Sequence, residues 1–387
     1  MLVAVEPSGD ELGAALARAL RDRRGDAVRF VGVGGPAMAR EGIESPFDPA
    51  DMALVGAFNA ILAWPRVRAK ARETAALARR EHPDVAVLID AWGFNIRVAQ
   101  RLRQLDPTLS LVKYVAPQVW ATRPGRAKLL ARRVDWLLTI HRFDAPYFER
   151  EGLQTTFVGN PALKRDFSRA DPAALRRELG LSPDEPLLLV LPGSRRGEVK
   201  RLMGPFGDAV TRLTADRPGL RVVIAAASGV ADDVKARLAG WAVQATVIQG
   251  EDRRLSAMRA ATAALACSGT VTTELALAGC PMVVGYRLDP LTYAAARLLL
   301  RTRYITLINV AAGRFVAQER LQRRCRGDVL AGDLSALLDD PPRRADQIAA
   351  QSEALKLMDG GILDPIGAAA DAILSVAAEG VGRAGYA

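Results

Sequence analysis

Histidine is almost missing from this chain: His82 and His141 are the only two in 387 residues. They stand far apart, in neither an HExxH nor any other ligand spacing, which argues against a histidine-built metal site. Cysteine is nearly as scarce. Cys267, Cys280 and Cys325 form no CxxC pair, and two of them lie in or beside apolar strands, so they read as small buried hydrophobes of a reduced, cytoplasmic protein. No apolar run approaches the roughly 18 residues that span a bilayer, and no N-terminal stretch joins a basic flank to an apolar run and a small-residue cleavage site. Neither a membrane span nor an export signal is expected. Aromatic residues are 5% of the chain and do not interleave with its basic runs, so a single-strand nucleic-acid binder is disfavoured.

What is present is an ordinary globular composition, 50% hydrophobic and 25% charged, on a chain long enough for two cores. The net charge is +10, from runs such as RALRDRR, RVRAKARE, RPGRAKLLARR and RLQRRCR. Such a balance suits an anionic surface or a phosphorylated ligand; the alternative is a set of solvated helix faces.

Short apolar runs bounded by turn signals alternate with segments of helical period. LVAV, VRFVGV, VAVLID, SLVKYVA and WLLTI lead in the first half. After the Pro- and Asp-punctuated stretch from Gly159 to Pro186 the alternation restarts with LLLVLP, RVVIAAA, ATVIQ, AALAC and MVVGY. It predicts an α/β protein of two doubly wound, Rossmann-like domains with ligands at the strand C-termini. The expected division is 1–165, 166–340 and a helical segment 341–387 that packs back on the domains.

Several loops carry chemistry. After LLLVLP, Gly193-Ser194-Arg195-Arg196-Gly197-Glu198 opens a helix. Free amides there and two guanidiniums would suit a phosphate, although no GK[ST] follows and a Walker A loop is excluded. An ordinary βα turn with exposed arginines is the alternative. Ala266–Tyr286, ACSGTVTTELALAGCPMVVGY, repeats the device: Ser268, Gly269 and Thr270 would let a diphosphate approach helix-start amides, with Glu274 one turn on. A capping box from Thr270 would need its acid at Thr273, so Glu274 is read as an acceptor for ribose hydroxyls. Asp90, at the end of VAVLID, is a candidate general base, or else a helix cap. Gly32-Val33-Gly34-Gly35-Pro36 lacks the full spacing of a dinucleotide fingerprint.

EPSGD from Glu6, FVGVGGPAM, Asp90 to Asn95, YVAPQVWA, LPGSRRGEV, SGTVTTELALAGCPMVVGY and NVAAGR, with Glu319 and Gln322, together resemble the lipid-A-disaccharide synthase family. The resemblance runs in order from the first strand to about residue 322. It implies a GT-B glycosyltransferase fold, two Rossmann-like domains facing a cleft. The implied reaction passes 2,3-diacylglucosamine from UDP-diacylglucosamine to diacylglucosamine 1-phosphate, with inversion and without metal or cofactor. On that expectation Asp90 takes the acceptor proton, Arg195 holds the diphosphate, and Glu6, Ser8, Asn309 and Gln322 line the substrate site. The sequence departs from the family pattern at Val5, Asn59, Thr122, Asn160 and His141–Asp144, all on the acceptor side.

Other UDP-sugar enzymes of the fold, such as a lipid-linked N-acetylglucosaminyltransferase or an epimerase, and a non-catalytic glycolipid binder are the alternatives. Diacylated substrates imply the cytoplasmic face of the inner membrane, with no nucleic-acid partner and room for a homodimer. LVGAFNAILAWPRVRAKAR sets Val55, Phe58, Ile61, Leu62 and Trp64 ahead of a basic run, a pattern suited to an anionic interface or to a core-facing helix.

Overall fold

The computed structural model describes residues 1–49, 60–289, 293 and 302–384. Two compact units emerge, Met1–Pro161 with Gly360–Ala387, and Ala162–Asp359. The first is built on a parallel sheet of β1 (Leu2–Val3), β2 (Gly32–Val33), β3 (Val85–Ile89), β4 (Ser110–Tyr114), β5 (Trp136–Thr139) and β6 (Gln154–Phe157), in the order β2-β1-β3-β4-β5-β6. The second holds β7 (Leu187–Leu191), β8 (Arg221–Ala225), β9 (Thr246–Ile248), β10 (Ala263–Ala266), β11 (Met282–Tyr286) and β12 (Gln318–Leu321), in the order β12-β11-β10-β7-β8-β9. Every pairing is parallel.

Parallel strands need crossover helices, and these cover both faces of each sheet. That is why the central strands are continuous apolar runs. In β7, Leu187, Leu189 and Leu191 enter one core while Leu188 and Val190 enter another on the opposite face. In β3, Ala86 and Leu88 part in the same way from Val87 and Ile89. Strand order reverses between β1 and β3 in the first sheet and between β7 and β10 in the second. Crevices open at the carboxyl ends of strands at such reversals.

The C-terminal helices serve different units. Helix Pro341–Asp359 buries Ala354 and Met358 in a core of the second unit. Helix Pro365–Ala384 buries Ala369, Ala370, Ile373 and Val376 against β1, β3 and β4 of the first. Among the described residues no helix is long and apolar enough to cross a membrane.

Candidate functional site

In the second unit the ends of β7, β8 and β10 surround a cavity of about 550 Å³. Its lining includes Arg195, Ser268, Gly269, Thr270 and Glu274, five residues expected to bind substrate. Helix Thr270–Leu277 starts at Gly269 with no side chain capping it, so the amides of Thr270 and Val271, two residues that line the cavity, have no side-chain acceptor. Gly269 has φ +153° and ψ −164°, a region that is essentially glycine's alone.

The neighbouring turn differs from expectation. The amides of Ser194 and Arg195 are not free: both donate to Glu198 Oε2, at 3.1 and 3.3 Å. Glu198 sits three positions after Arg195, buried, and closes the start of helix Arg196–Asp216 itself. Gly193 is required there because a Cβ would lie 2.6 Å from Glu198 Cβ. The anion-binding resource of this turn is therefore the Arg195 guanidinium, whose side chain is exposed and only 3.4 Å from Glu198 Oε1.

Glu274 is mostly covered, with its carboxylate gripped by both terminal nitrogens of Arg254 and 3.7 Å from Arg165 Nη1. A carboxylate offers about four acceptor positions, so the arginines leave room for sugar hydroxyls. Asn309 does not line this cavity. It is fully buried, donates to the carbonyl oxygen of Ala317 and to Glu319, both at 2.8 Å, and accepts from the amides of Val316 and Ala317. Glu319 in turn accepts from the amides of Ile305 and Thr306. Those two residues frame a loop; the expected contact of Asn309 with substrate has no side-chain group left to make it. Gln322 begins a short 3-10 turn with φ +50°, unusual for a residue with a Cβ, and is half-buried.

In the first unit β3 runs into Asp90 and Ala91, both left-handed at φ +48° and +37°. Each such non-glycine residue costs of order 1–3 kcal/mol and persists where its surroundings over-determine it. The next helix, Trp92–Leu105, has Ala91 at its cap position and no side-chain cap, so the helix-cap alternative for Asp90 falls. The carboxylate instead accepts from Ser8 Oγ at 3.4 Å, Ser8 being exposed at the start of helix Pro7–Arg24, which follows Glu6. The last residue of EPSGD is structural. Asp10 is buried and accepts from the amides of Gly35, Ala37 and Met38 at 2.7, 2.8 and 3.0 Å, and a Cβ at Gly35 would lie 2.7 Å from its Oδ2, which accounts for the last glycine of the trio.

Two features escaped the reading of the sequence. Lys113, in β4, is 2% exposed and lies beside Asp90; its signal is a lone charge inside an otherwise apolar strand. Asp144 accepts from Trp120 Nε1 at 3.0 Å, and burial pushes its carboxyl up to about 7. His141 stacks on Phe143 with 5.0 Å between ring centroids and is pushed down to about 4 by burial. The departures at His141 and Asp144 thus build a packed cluster of their own around Trp120 and Phe143. No sequence spacing signals it, because its members come from different strand ends.

Val55, Phe58 and Asn59 lie outside the described residues, as do the side chains of Ile61 and Leu62. Helix Ala60–Glu81 sends Ala71, Ala75 and Ala78 into the core, while Trp64 is 49% exposed beneath the Arg97 guanidinium, 3.9 Å from its ring centroid.

Two parallel, doubly wound sheets in one chain are the architecture of the GT-B fold class. The putative UDP-N-acetylglucosamine 2-epimerase of Listeria monocytogenes superposes with a TM-score of 0.60 at 15% identity, covering 97% of this chain and 94% of that one. The Neisseria meningitidis UDP-GlcNAc 2-epimerase reaches 0.58 at 13% identity, over 98% of both chains. At such identities the likeness is one of fold. The sequence model of the Lipid-A-disaccharide synthetase family matches residues 1–362. The Lipid-A-disaccharide synthase of Rhodospirillum centenum is 41% identical over 97% of this chain and 94% of its own length. That of Paramagnetospirillum magneticum is 39% identical over 98% and 97%. The chain belongs to the lipid-A-disaccharide synthase family.

Proposed function

We propose that the chain transfers 2,3-diacylglucosamine from its UDP derivative to 2,3-diacylglucosamine 1-phosphate, giving a β-1,6-linked disaccharide 1-phosphate and UDP. The observation that carries this reading within the molecule is the uncapped Thr270 helix start facing a cavity shared with Arg195 and Glu274. Amides and a guanidinium suit a diphosphate, and the acid suits the ribose diol. Asp90 takes the proton of the acceptor hydroxyl as that oxygen bonds to the anomeric carbon. The bond from that carbon to the diphosphate oxygen breaks, and the electron pair leaves on UDP, where Arg195 and the open amides stabilise it. Glu6, Ser8 and Gln322 are read as substrate contacts.

A mass-spectrometric product assay with defined diacyl donor and acceptor tests the reaction. A new tetraacyl disaccharide 1-phosphate with equimolar UDP is expected; UDP formed without acceptor, or no UDP at all, overturns it. The same reading places the protein on the cytoplasmic face of the inner membrane, held at its surface. Exposed Trp64 beside Arg68, Arg97 and Arg101 supports this. Vesicle co-sedimentation should favour anionic over neutral lipid and weaken with salt, and equal binding to both counts against it.

A further inference from the structure

The transfer scheme leaves one feature of the first sheet unused. Lys113 projects from β4 into the turn that carries Asp90, and its ammonium donates to the carbonyl oxygens of Leu88, Asp90 and Tyr114 at 3.2, 2.6 and 2.9 Å. From the other side Asn95 Nδ2 donates to the carbonyls of Ile89 and Asp90, at 2.7 and 2.9 Å. The carbonyl of Asp90 is thus gripped twice, at the first of two successive left-handed residues. Capping carbonyls does not require a charge, and burying an ammonium is costly unless it is fully satisfied. What lysine adds over a neutral donor is three protons, one for each carbonyl, and a positive charge under the acids. The charged groups that face it are Asp90, at the end of β3, and Glu6, after β1. Its register partners on the flanking strands, Leu88 and Leu137, are apolar.

We propose that Lys113 is a positioning residue for the acceptor base, its ammonium clamping the left-handed turn that presents the Asp90 carboxylate. The proposal rests on the reading of Asp90 as the base. Burial pushes Lys113 down to about 7, against the pull of Asp90 and Glu6. The charged form, with three donors, holds below that pH; the neutral amine above it has two, so one carbonyl loses its partner. Turnover should then fall on the alkaline side of neutrality.

Two measurements on the full chain test this. Lysine side-chain carbon NMR should show a signal titrating near neutrality, and Asp90→Asn should move its midpoint to lower pH because an attractive charge is lost. A midpoint that Asp90→Asn leaves unmoved overturns the proposal, whatever the activity of that variant; retained turnover in Asp90→Asn would instead overturn the base assignment. In the product assay, Lys113→Met should lower kcat by about 10- to 100-fold, the scale of a misplaced catalytic group. It should leave UDP affinity unchanged and abolish the alkaline decline. A Lys113→Met enzyme with the parent rate and the parent alkaline decline overturns the clamp. If that variant does not fold, the NMR comparison of parent and Asp90→Asn decides.

Discussion

In the first unit the strand beside the order reversal, β3, runs into Asp90–Ala91; in the second, β10 runs into Ser268–Gly269. Both turns start a helix that no side chain caps. The first reaches its backbone geometry with two residues that carry a Cβ, held by Lys113 and Asn95. The second takes a different geometry, at a glycine where an added Cβ would meet nothing within 4 Å. The difference follows from what each turn presents. A turn that must display a carboxylate cannot be glycine at that position, so its strain has to be held by buried donors. A turn that offers only backbone amides is free to use glycine, and gains close approach for a ligand. The nearby Gly193–Glu198 turn shows the third outcome, a helix start closed by its own carboxylate.

The comparison can be broken most directly at Asp90. Asp90→Asn keeps the shape of the side chain and removes its basicity, so turnover should drop by about 10²- to 10⁴-fold, the usual share of general base catalysis. Melting temperature and UDP affinity should stay near parent. Activity within a few-fold of parent would remove Asp90 from the mechanism and leave its strained turn without a purpose.

On the second turn, Gly269→Ala meets no steric neighbour, so any cost is conformational. It should reach about 3 kcal/mol of stability, the upper end for a backbone region reserved to glycine. Chemical denaturation measures it, and a loss of a few tenths would mean that the turn tolerates a side chain.

Glu274→Ala sharpens the assignment of the acid in the same pocket. UDP binding should weaken by roughly 1 to 3 kcal/mol, the range for hydrogen bonds to a charged group. Because the change also releases Arg254, calorimetry should be read beside Arg254→Ala. If both variants lose stability but neither loses UDP affinity, Glu274 belongs to the scaffold. The smallest expected effect is that of a chelator. If Arg195 and the Thr270 amides supply the positive field around the diphosphate, EDTA should leave UDP release unchanged. A loss restored by magnesium or manganese would show that the open turn works with a cation.

The strands, their parallel arrangement and the division into two doubly wound units were legible in the chain, because a strand covered on both faces has to be apolar throughout. The turns that carry Asp90, Arg195 and Ser268–Glu274 were legible too, as helix starts that follow buried strands. The sequence could not say which of two similar turns keeps its amides. GSRRGE carries an acid at the right spacing, but with arginine rather than serine at the cap position, and only the packed geometry of Gly193 brings Glu198 onto those amides. Asn309 was legible as a polar residue in a motif; that its amide is spent inside depends on the loop to Glu319 folding back over it. Lys113 stood visible in SLVKYVA, yet its meaning comes from three carbonyls, contributed by β3, by the turn that follows it and by the end of β4. Local sequence decides periodicity and turn chemistry. Whether a buried polar group is spent on the scaffold or left for a ligand depends on which distant backbone groups the sheet brings within about 3 Å of it, and that is a property of the assembled fold alone.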